Sequence, residues 1–396
     1  MTSLHKPATA EATGWTGSVF DTGKILTLSV SHFIHDVYSS FLAPLLPLLI
    51  EKLSLSLTQA GFLATVMQIP ALINPYIGQL ADRTSVRYFV ILAPAMTAIP
   101  MSLIGIAPSY GVLLLLLFVA GISVALFHVP APVMVARLAA GRKGRAMSFF
   151  MTGGELARTV GPLSAVGVVS LMGLEGFYPI MLVGIAASGW LYWRFRKVDL
   201  DISDRRQKTS IRTTWRHMRR VLAPLSAILV TRGFMHAAMT AFLPTYVEME
   251  SGNLWLAGAA LTLFEASGVA GVLTAGSLSD HLGRRRMLLF SLLGAPLSLF
   301  LFVYSGGWLR VIALLGTGFT LLSTTPVMLA LVQEHADGSS PAAANGLFMM
   351  FSFLARSAVV VLVGMIADHI GLQTTYVIAA AAGLLGIPFV LMLPGR

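Results

Sequence analysis

Six charged side chains fall inside stretches that are otherwise long and apolar: Asp36, Glu155 and Glu265 against Arg158, Arg232 and Arg356. Three acids offset three bases, which leaves His32, His35, His128 and His236 as the nearby groups that titrate around neutral pH. Charging one histidine or neutralising one carboxylate upsets such a balance by one unit, as coupling a proton to release of a charged solute requires. Their spacing adds detail. Ser31, His32, His35, Asp36, Ser39 and Ser40 recur at helical intervals, so one stripe of that helix is polar and faces a cavity. Glu155 and Arg158 stand three apart and can pair on one helix, or Glu155 can take a proton and release Arg158 to an anion. Arg232, His236 and Thr240 follow at four-residue steps. With Pro244 set on Pro44, Arg232 falls opposite His32 and His236 opposite Asp36. Glu265 is either the partner of Arg232 or a titrating site. Glu248 and Glu250 read as an outer mouth, and Asp368 and His369 as a surface loop just beyond the eleventh apolar run.

The elements that hold these residues are legible from composition. The chain is 56% hydrophobic and 11% charged, with a mean hydropathy of +0.79, whereas soluble domains carry about 25% charged residues. A membrane helix needs about 20 apolar residues. Polar breaks leave about twelve such runs, near 25–50, 58–81, 88–107, 110–136, 146–172, 176–194, 221–247, 255–279, 287–305, 308–333, 341–367 and 372–393. The expected fold class is an all-α polytopic membrane protein, since barrel strands of about ten alternating residues do not match these runs. An ionisable residue within a span costs about 2.5 to 3.5 kcal/mol on insertion scales and marks a pathway or a partner. Asp36 therefore serves a pathway, or it pairs with a neighbouring helix; His35 reads as interhelical glue.

The net charge of +10 is a topology signal. Of the 27 basic residues, Lys52 and Arg310 alone fall on one side, and Arg158, Arg232 and Arg356 lie within spans; the rest gather on the other side. By the positive-inside rule both termini are cytoplasmic and the protein is a multi-pass component of the inner (cytoplasmic) membrane, with no nucleic-acid partner. Residues 1–24 form a cytoplasmic tail, 25–194 one six-helix half, 195–220 a charged linker at the membrane surface, and 221–396 the second half. No cysteine is present, so disulfides and thiolate metal sites are excluded. No Gly-rich phosphate loop, nucleophile elbow or HExxH spacing occurs, and the chain reads as a non-enzyme with no cofactor and no metal.

The halves repeat. GQLADRTSVRY at 78–88 returns as GSLSDHLGRRR at 276–286, an interval of 276 − 78 = 198 in a chain of 396. Leu156-Ala157-Arg158 returns as Leu354-Ala355-Arg356 at the same interval, so these two arginines should flank a central cavity. The 78–88 element resembles the signature loop between helices 2 and 3 of the major facilitator superfamily, repeated between helices 8 and 9. That resemblance implies two pseudo-symmetric six-helix halves. It also implies a cytoplasmic gate carried by Gly78, Asp82, Arg83 and Arg87 and by Gly276, Asp280, Gly283 and Arg284, with Ser85 where the family has glycine. Phe127-His128-Val129-Pro130, Val135-Ala136-Arg137, Gly153-Gly154, Gly161-Pro162 and the His32-x-x-His35-Asp36 element are similar to the fosmidomycin resistance protein branch. Gly161 and Pro162 resemble the helix-bending pair of antiporters, with Ala157 departing from the pattern.

The buried charges, read together with the resemblance, lead to the expectation of a proton-coupled antiporter that exports a small organic solute or drug, anionic if Arg158, Arg232 and Arg356 receive it, by alternating access, acting as a monomer with the solute, protons and the lipid bilayer as partners. His32, Asp36, His128, Glu155, Arg158, Arg232, His236, Glu265 and Arg356 are the candidates for proton coupling or for lining the solute cavity. A proton-coupled uptake symporter is the alternative on the same fold. A non-transporting receptor or scaffold is the alternative of another class.

Overall fold

The computed structural model describes residues 20–74, 77, 87–139, 142–197, 211–335 and 341–394. Among them every regular element is helical. The first half comprises α1 (Thr22–Ser39, resumed as Leu42–Leu53), α2 (Leu57–Ile73), α3 (Arg87–Ile106), α4 (Tyr110–His128, resumed as Ala131–Leu138), α5 (Lys143–Met172) and α6 (Met181–Phe195). The second comprises α7 (Ile211–Ala237, a π turn at Ala238–Phe242, then Leu243–Ser251), α8 (Leu254–Leu282) and α9 (Arg284–Tyr304). It is completed by α10 (Gly307–Leu322, then Thr324–Glu334), α11 (Pro341–Ile370) and α12 (Leu372–Leu384, then Ile387–Met392). Nine of these are long and apolar enough to cross a membrane among the described residues. The other three are α2, α5 with its internal Glu155 and Arg158, and the shorter α6.

Local chemistry sets the ends. Ser56 and Gln59 form a reciprocal capping box at the start of α2, and Ser109 and Asn253 cap α4 and α8. Between α8 and α9 a single residue, Gly283 at φ 90°, makes the turn, a conformation that a side chain would strain. The helix carrying the seventh span starts at Ile211, inside the stretch assigned above to the linker, because the amphipathic run through Trp215 and Met218 continues into the span.

Side chains such as Leu171, Leu273 and Trp308 stand exposed on the outside, as a hydrocarbon solvent permits. Tyr304 and Trp308 flank the turn between α9 and α10, where amphipathic rings suit a membrane interface.

The core is asymmetric from one end to the other. At the end away from the chain termini, one hydrophobic cluster runs through both halves, from Tyr38, Leu45 and Leu63 to Phe242, Tyr246 and Val363. At the termini end there are two separate clusters. One holds Ile25, Val90, Phe127 and Phe195; the other holds Met218, Leu288, Val327 and Phe348. Among the described residues the halves are therefore joined at one end and parted at the other, with the central cleft open toward the termini.

Close main-chain approach makes the joined end. A Cβ on Gly61 of α2 would lie 2.7 Å from the Val360 carbonyl of α11, and one on Gly364 of α11 would strike the Leu57 carbonyl. Asp368 completes the seam. Its carboxylate accepts from the amides of Leu57 (2.7 Å) and Thr58 (2.9 Å) and from the Thr58 hydroxyl (2.5 Å). This residue was expected in a surface loop; instead it lies in the last turn of α11 and caps α2 of the other half.

The same end holds the two basic residues that fall outside the termini side. Lys52 bonds the Gly105 carbonyl (2.7 Å) and Glu175 (2.6 Å), and that hydrogen bond holds the Glu175 carboxyl below its ordinary range. Arg310 pairs with Glu250.

Candidate functional site

The charged residues singled out by the sequence gather into two groups. The first forms where α1 and α4 meet. Asp36 is buried, with His32 Nε2 at 3.2 Å from its Oδ2, His128 Nε2 at 3.4 Å from its Oδ1 and His35 Nε2 at 3.9 Å from Oδ1. Two phenylalanines fix the rings. His32 stacks on Phe150 (centroids 4.1 Å) and His35 on Phe127 (4.4 Å).

Glycines let α5 reach this group. A Cβ on Gly154 would lie 2.7 Å from His32 Nε2 and 3.2 Å from Asp36 Oδ2, and Cβ atoms on Gly153 and Gly161 would strike the Ser29 carbonyl and the Ser40 hydroxyl. The polar stripe of α1 was expected to face a cavity. It packs instead on the glycine face of α5, with Ser31, His32, His35 and Asp36 buried and His128 the member that keeps partial exposure. Gly161 likewise serves close contact, and α5 continues through Pro162.

The second group lies where the halves face each other. Arg158 is ion-paired with Glu155 one turn away and is half exposed toward the cleft. Glu265 of α8 is within Coulombic range of both Arg158 and Arg356, and the two arginines also act on each other across the halves. His236 of α7 feels Arg356, Arg232 and Arg158 together. A recess among these residues is lined by Leu229, Arg232, Gly233, His236, Ser352 and Arg356.

Arg232 is the buried member. Its guanidinium donates to the Thr324 hydroxyl and to the Leu321 carbonyl (3.4 Å), both at the break in α10. The sequence leaves Glu265 as either the partner of Arg232 or a titrating site. Arg232 is received at the break in α10, which frees a carbonyl and a hydroxyl, while Glu265 lies within Coulombic range of Arg158 and Arg356.

Of the repeated loop, Gly78, Asp82 and Arg83 lie outside the described residues. Arg87 opens α3 with its guanidinium 5.0 Å from the Tyr88 ring centroid. The second copy is a brace within its own half. Arg284 pairs with Asp280, bonds the Gly276 carbonyl (3.3 Å) and the Ser279 hydroxyl, and reaches Glu334 at the end of α10 (2.8 Å). Glu334 carried no signal in the sequence, being 50 residues from its partner. Other partners missed were Thr324, Thr97 and Ser123, neutral residues in apolar runs whose spacing gives no clue to the side chain they receive.

Twelve helices in two joined halves, with charged groups buried near their meeting line, match known proteins along nearly the whole chain. The family model described as Major Facilitator Superfamily matches residues 28–358 and 252–396. The chain belongs to the major facilitator superfamily. It is a multi-pass membrane transporter of small-molecule solutes and not an enzyme. Among curated relatives, the fosmidomycin resistance protein of Escherichia coli (strain K12) is 28% identical over 98% of this chain and 97% of its own length. An uncharacterized MFS-type transporter of Bacillus subtilis (strain 168), YfnC, is 26% identical over 92% of this chain and 91% of its own. Among solved structures, a bacterial homologue of the human lysosomal transporter Spinster superposes with a TM-score of 0.77 at 13% identity, covering 94% of this chain and 95% of that one.

Proposed function

We propose that this superfamily member is a proton-coupled antiporter that exports a small organic anion across the cytoplasmic membrane, as a monomer with both termini in the cytoplasm. The observation that carries the reading is the company of Arg158, Arg232, Arg356 and His236 around one cleft, with Glu155 and Glu265 set against the arginines. Guanidinium groups in a half-dry cleft recognise carboxylate or phosphonate oxygens through paired hydrogen bonds. Glu265, within Coulombic range of Arg158 and Arg356, orders them for the anion while it is ionised. A proton taken up by Glu265 from outside loosens the arginines and releases the anion, and loss of that proton to the cytoplasm restores the binding set, so proton and solute occupy the cleft in turn. Occupation of the cleft by the proton on Glu265 and by the solute on the arginines then alternates with the rocking of the two halves that repeat-built transporters use.

The fosmidomycin resistance relative supports export and an anionic, phosphonate-like cargo. The cleft open toward the termini is the state that would load from the cytoplasm. The basic excess on the termini side supports the orientation.

The test is transport in proteoliposomes under an imposed pH gradient, with fosmidomycin and a panel of organic anions and lipophilic cations, for the parent and Glu265→Gln. The reading expects an anion to dissipate the gradient in the parent, in the exchange direction, and to leave it intact in the variant. Co-directional movement of proton and solute would make the protein a symporter. Equal, gradient-blind movement in both proteins would make it a facilitator, and no flux of any solute would favour a receptor or scaffold; each outcome overturns the antiport reading.

A further inference from the structure

Three imidazoles surround Asp36, and their outer nitrogens reveal which atoms they turn inward. His32 Nδ1 lies 2.8 Å from the Phe150 carbonyl and His128 Nδ1 lies 3.0 Å from the Val124 carbonyl. A carbonyl only accepts, so both Nδ1 atoms carry hydrogen. His35 Nδ1 lies 3.1 Å from Thr97 Oγ1. That hydroxyl donates its own hydrogen to Ser123 Oγ (2.7 Å), which donates to the Ala93 carbonyl (2.9 Å), so Thr97 receives from His35 as well. In the neutral rings all three Nε2 lone pairs then point at a carboxylate. Four electron-rich donors converge on one spot, and His35 Nε2 and Asp36 Oδ1 have no hydrogen-bond partner there.

This is the arrangement of a metal-binding pocket. Ligand histidines characteristically donate their second ring N–H to a carbonyl or similar acceptor, which fixes the tautomer and aims the other nitrogen at the ion. The spacing fits as well. Ligands about 2.0–2.1 Å from a tetrahedral centre lie roughly 3.3–3.4 Å from one another. Asp36 presents Oδ2 at 3.2 Å from His32 Nε2 and Oδ1 at 3.4 Å from His128 Nε2, as a carboxylate that shares its two oxygens across the site does, and one donor atom from each of the three residues falls within 4.8 Å of the others. Imidazole with a single carboxylate favours zinc and its first-row neighbours over magnesium or calcium, which prefer all-oxygen shells. We propose that His32, Asp36 and His128, with a fourth position left open to water, form a binding site for a divalent transition-metal ion of the Zn2+ class.

All three ligands come from α1 and α4, within one half. The ion therefore neither clamps the two halves together nor has to leave when they rock. Entry is from the cleft, past the partly exposed His128. Gly154 sets the space on the remaining side, since a methyl group there would sit 2.7 Å from His32 Nε2. The inference is independent of the antiport reading, because binding of the ion needs no solute and no pH gradient.

The experiment uses the full-length protein in detergent, freed of any polyhistidine tag and stripped with a chelator, and titrates Zn2+ by calorimetry and Co2+ by its visible absorption. One ion per chain is expected, with a Kd at or below about 10 µM and the intense bands of a four-coordinate Co2+ centre. His32→Gln and His128→Gln should each weaken binding at least 100-fold. Gly154→Ala, which keeps every ligand, should weaken it at least 10-fold. Size-exclusion profiles identify any variant that fails to fold, and the remaining variants then carry the test. Absence of saturable binding by either ion up to 100 µM would overturn the site, as would equal binding by parent, His128→Gln and Gly154→Ala.

Discussion

The two halves build the same contact with opposite charge. In the first, Asp36 of α1 reaches His128 at the break in α4; in the second, Arg232 of α7 reaches Thr324 at the break in α10. The repeat keeps the place: first helix of the half to the interruption of the fourth, where backbone groups lack helical partners. It does not keep the sign. One half gathers a carboxylate and three imidazoles, a group that attracts cations or protons. The other gathers arginines, a group that attracts anions. A duplicated fold thus supplies two equivalent sockets, and divergence of a few side chains makes them complementary.

The comparison breaks most completely if the second half is given the sign of the first. Arg356→Glu places a second acid within Coulombic range of Glu265, removes a cation from the cleft and should lower solute transport more than 100-fold. Initial rates in proteoliposomes check it. Rates within threefold of the parent would mean that the arginines of the cleft do not meet the solute.

Removing the neutral partner in each half sharpens the contrast. Thr324→Val deprives the buried Arg232 of its hydroxyl acceptor, and Thr97→Val deprives His35 of its own. A bond to a charged group contributes about 1.5–3 kcal/mol and a neutral one about 1 kcal/mol. Thr324→Val should therefore depress the melting temperature by several degrees and Thr97→Val by fewer, as measured by thermal unfolding in one detergent. The reverse order would remove the distinction between a cationic and a neutral socket.

Smaller effects are expected where the halves touch. Asp368→Asn weakens three hydrogen bonds to α2 at an exposed position, worth about 1 kcal/mol in all. Hydrogen exchange at the Leu57 and Thr58 amides should rise roughly fivefold, which peptide-level mass spectrometry reads. Lys52→Ala removes a surface pair and should change stability by under about 1 kcal/mol.

Much of this architecture was legible because the membrane imposes it. Apolar run length located the twelve spans, and the 198-residue interval located the halves. Charges inside those spans were conspicuous, so Asp36, Glu155, Arg158, Arg232, Glu265 and Arg356 could be named at once. Their partners could not. Asp368 caps an amide 310 residues away, and Arg284 reaches Glu334 across 50. Such pairings depend on helix rotation, which periodicity gives only for a helix taken alone. The stripe on α1 shows the difference. Its polarity was read correctly as a face, but whether that face meets water or glycines depends on α5, and Gly153, Gly154 and Gly161 admit α5 to it. The three-histidine pocket was hidden for the same reason, since His128 joins it from another helix.

The seam at the closed end has a thermal consequence. One apolar cluster there spans both halves, while the open end has two. If the halves exchange ends during each cycle, that cluster must be wetted and dried again every time. Wetting apolar surface raises heat capacity, by about 0.45 cal/mol/K for each Å². The equilibrium between the two states should therefore shift with temperature along a curve instead of a straight van't Hoff line, and the orientation favoured in the cold need not be the one favoured in the warm.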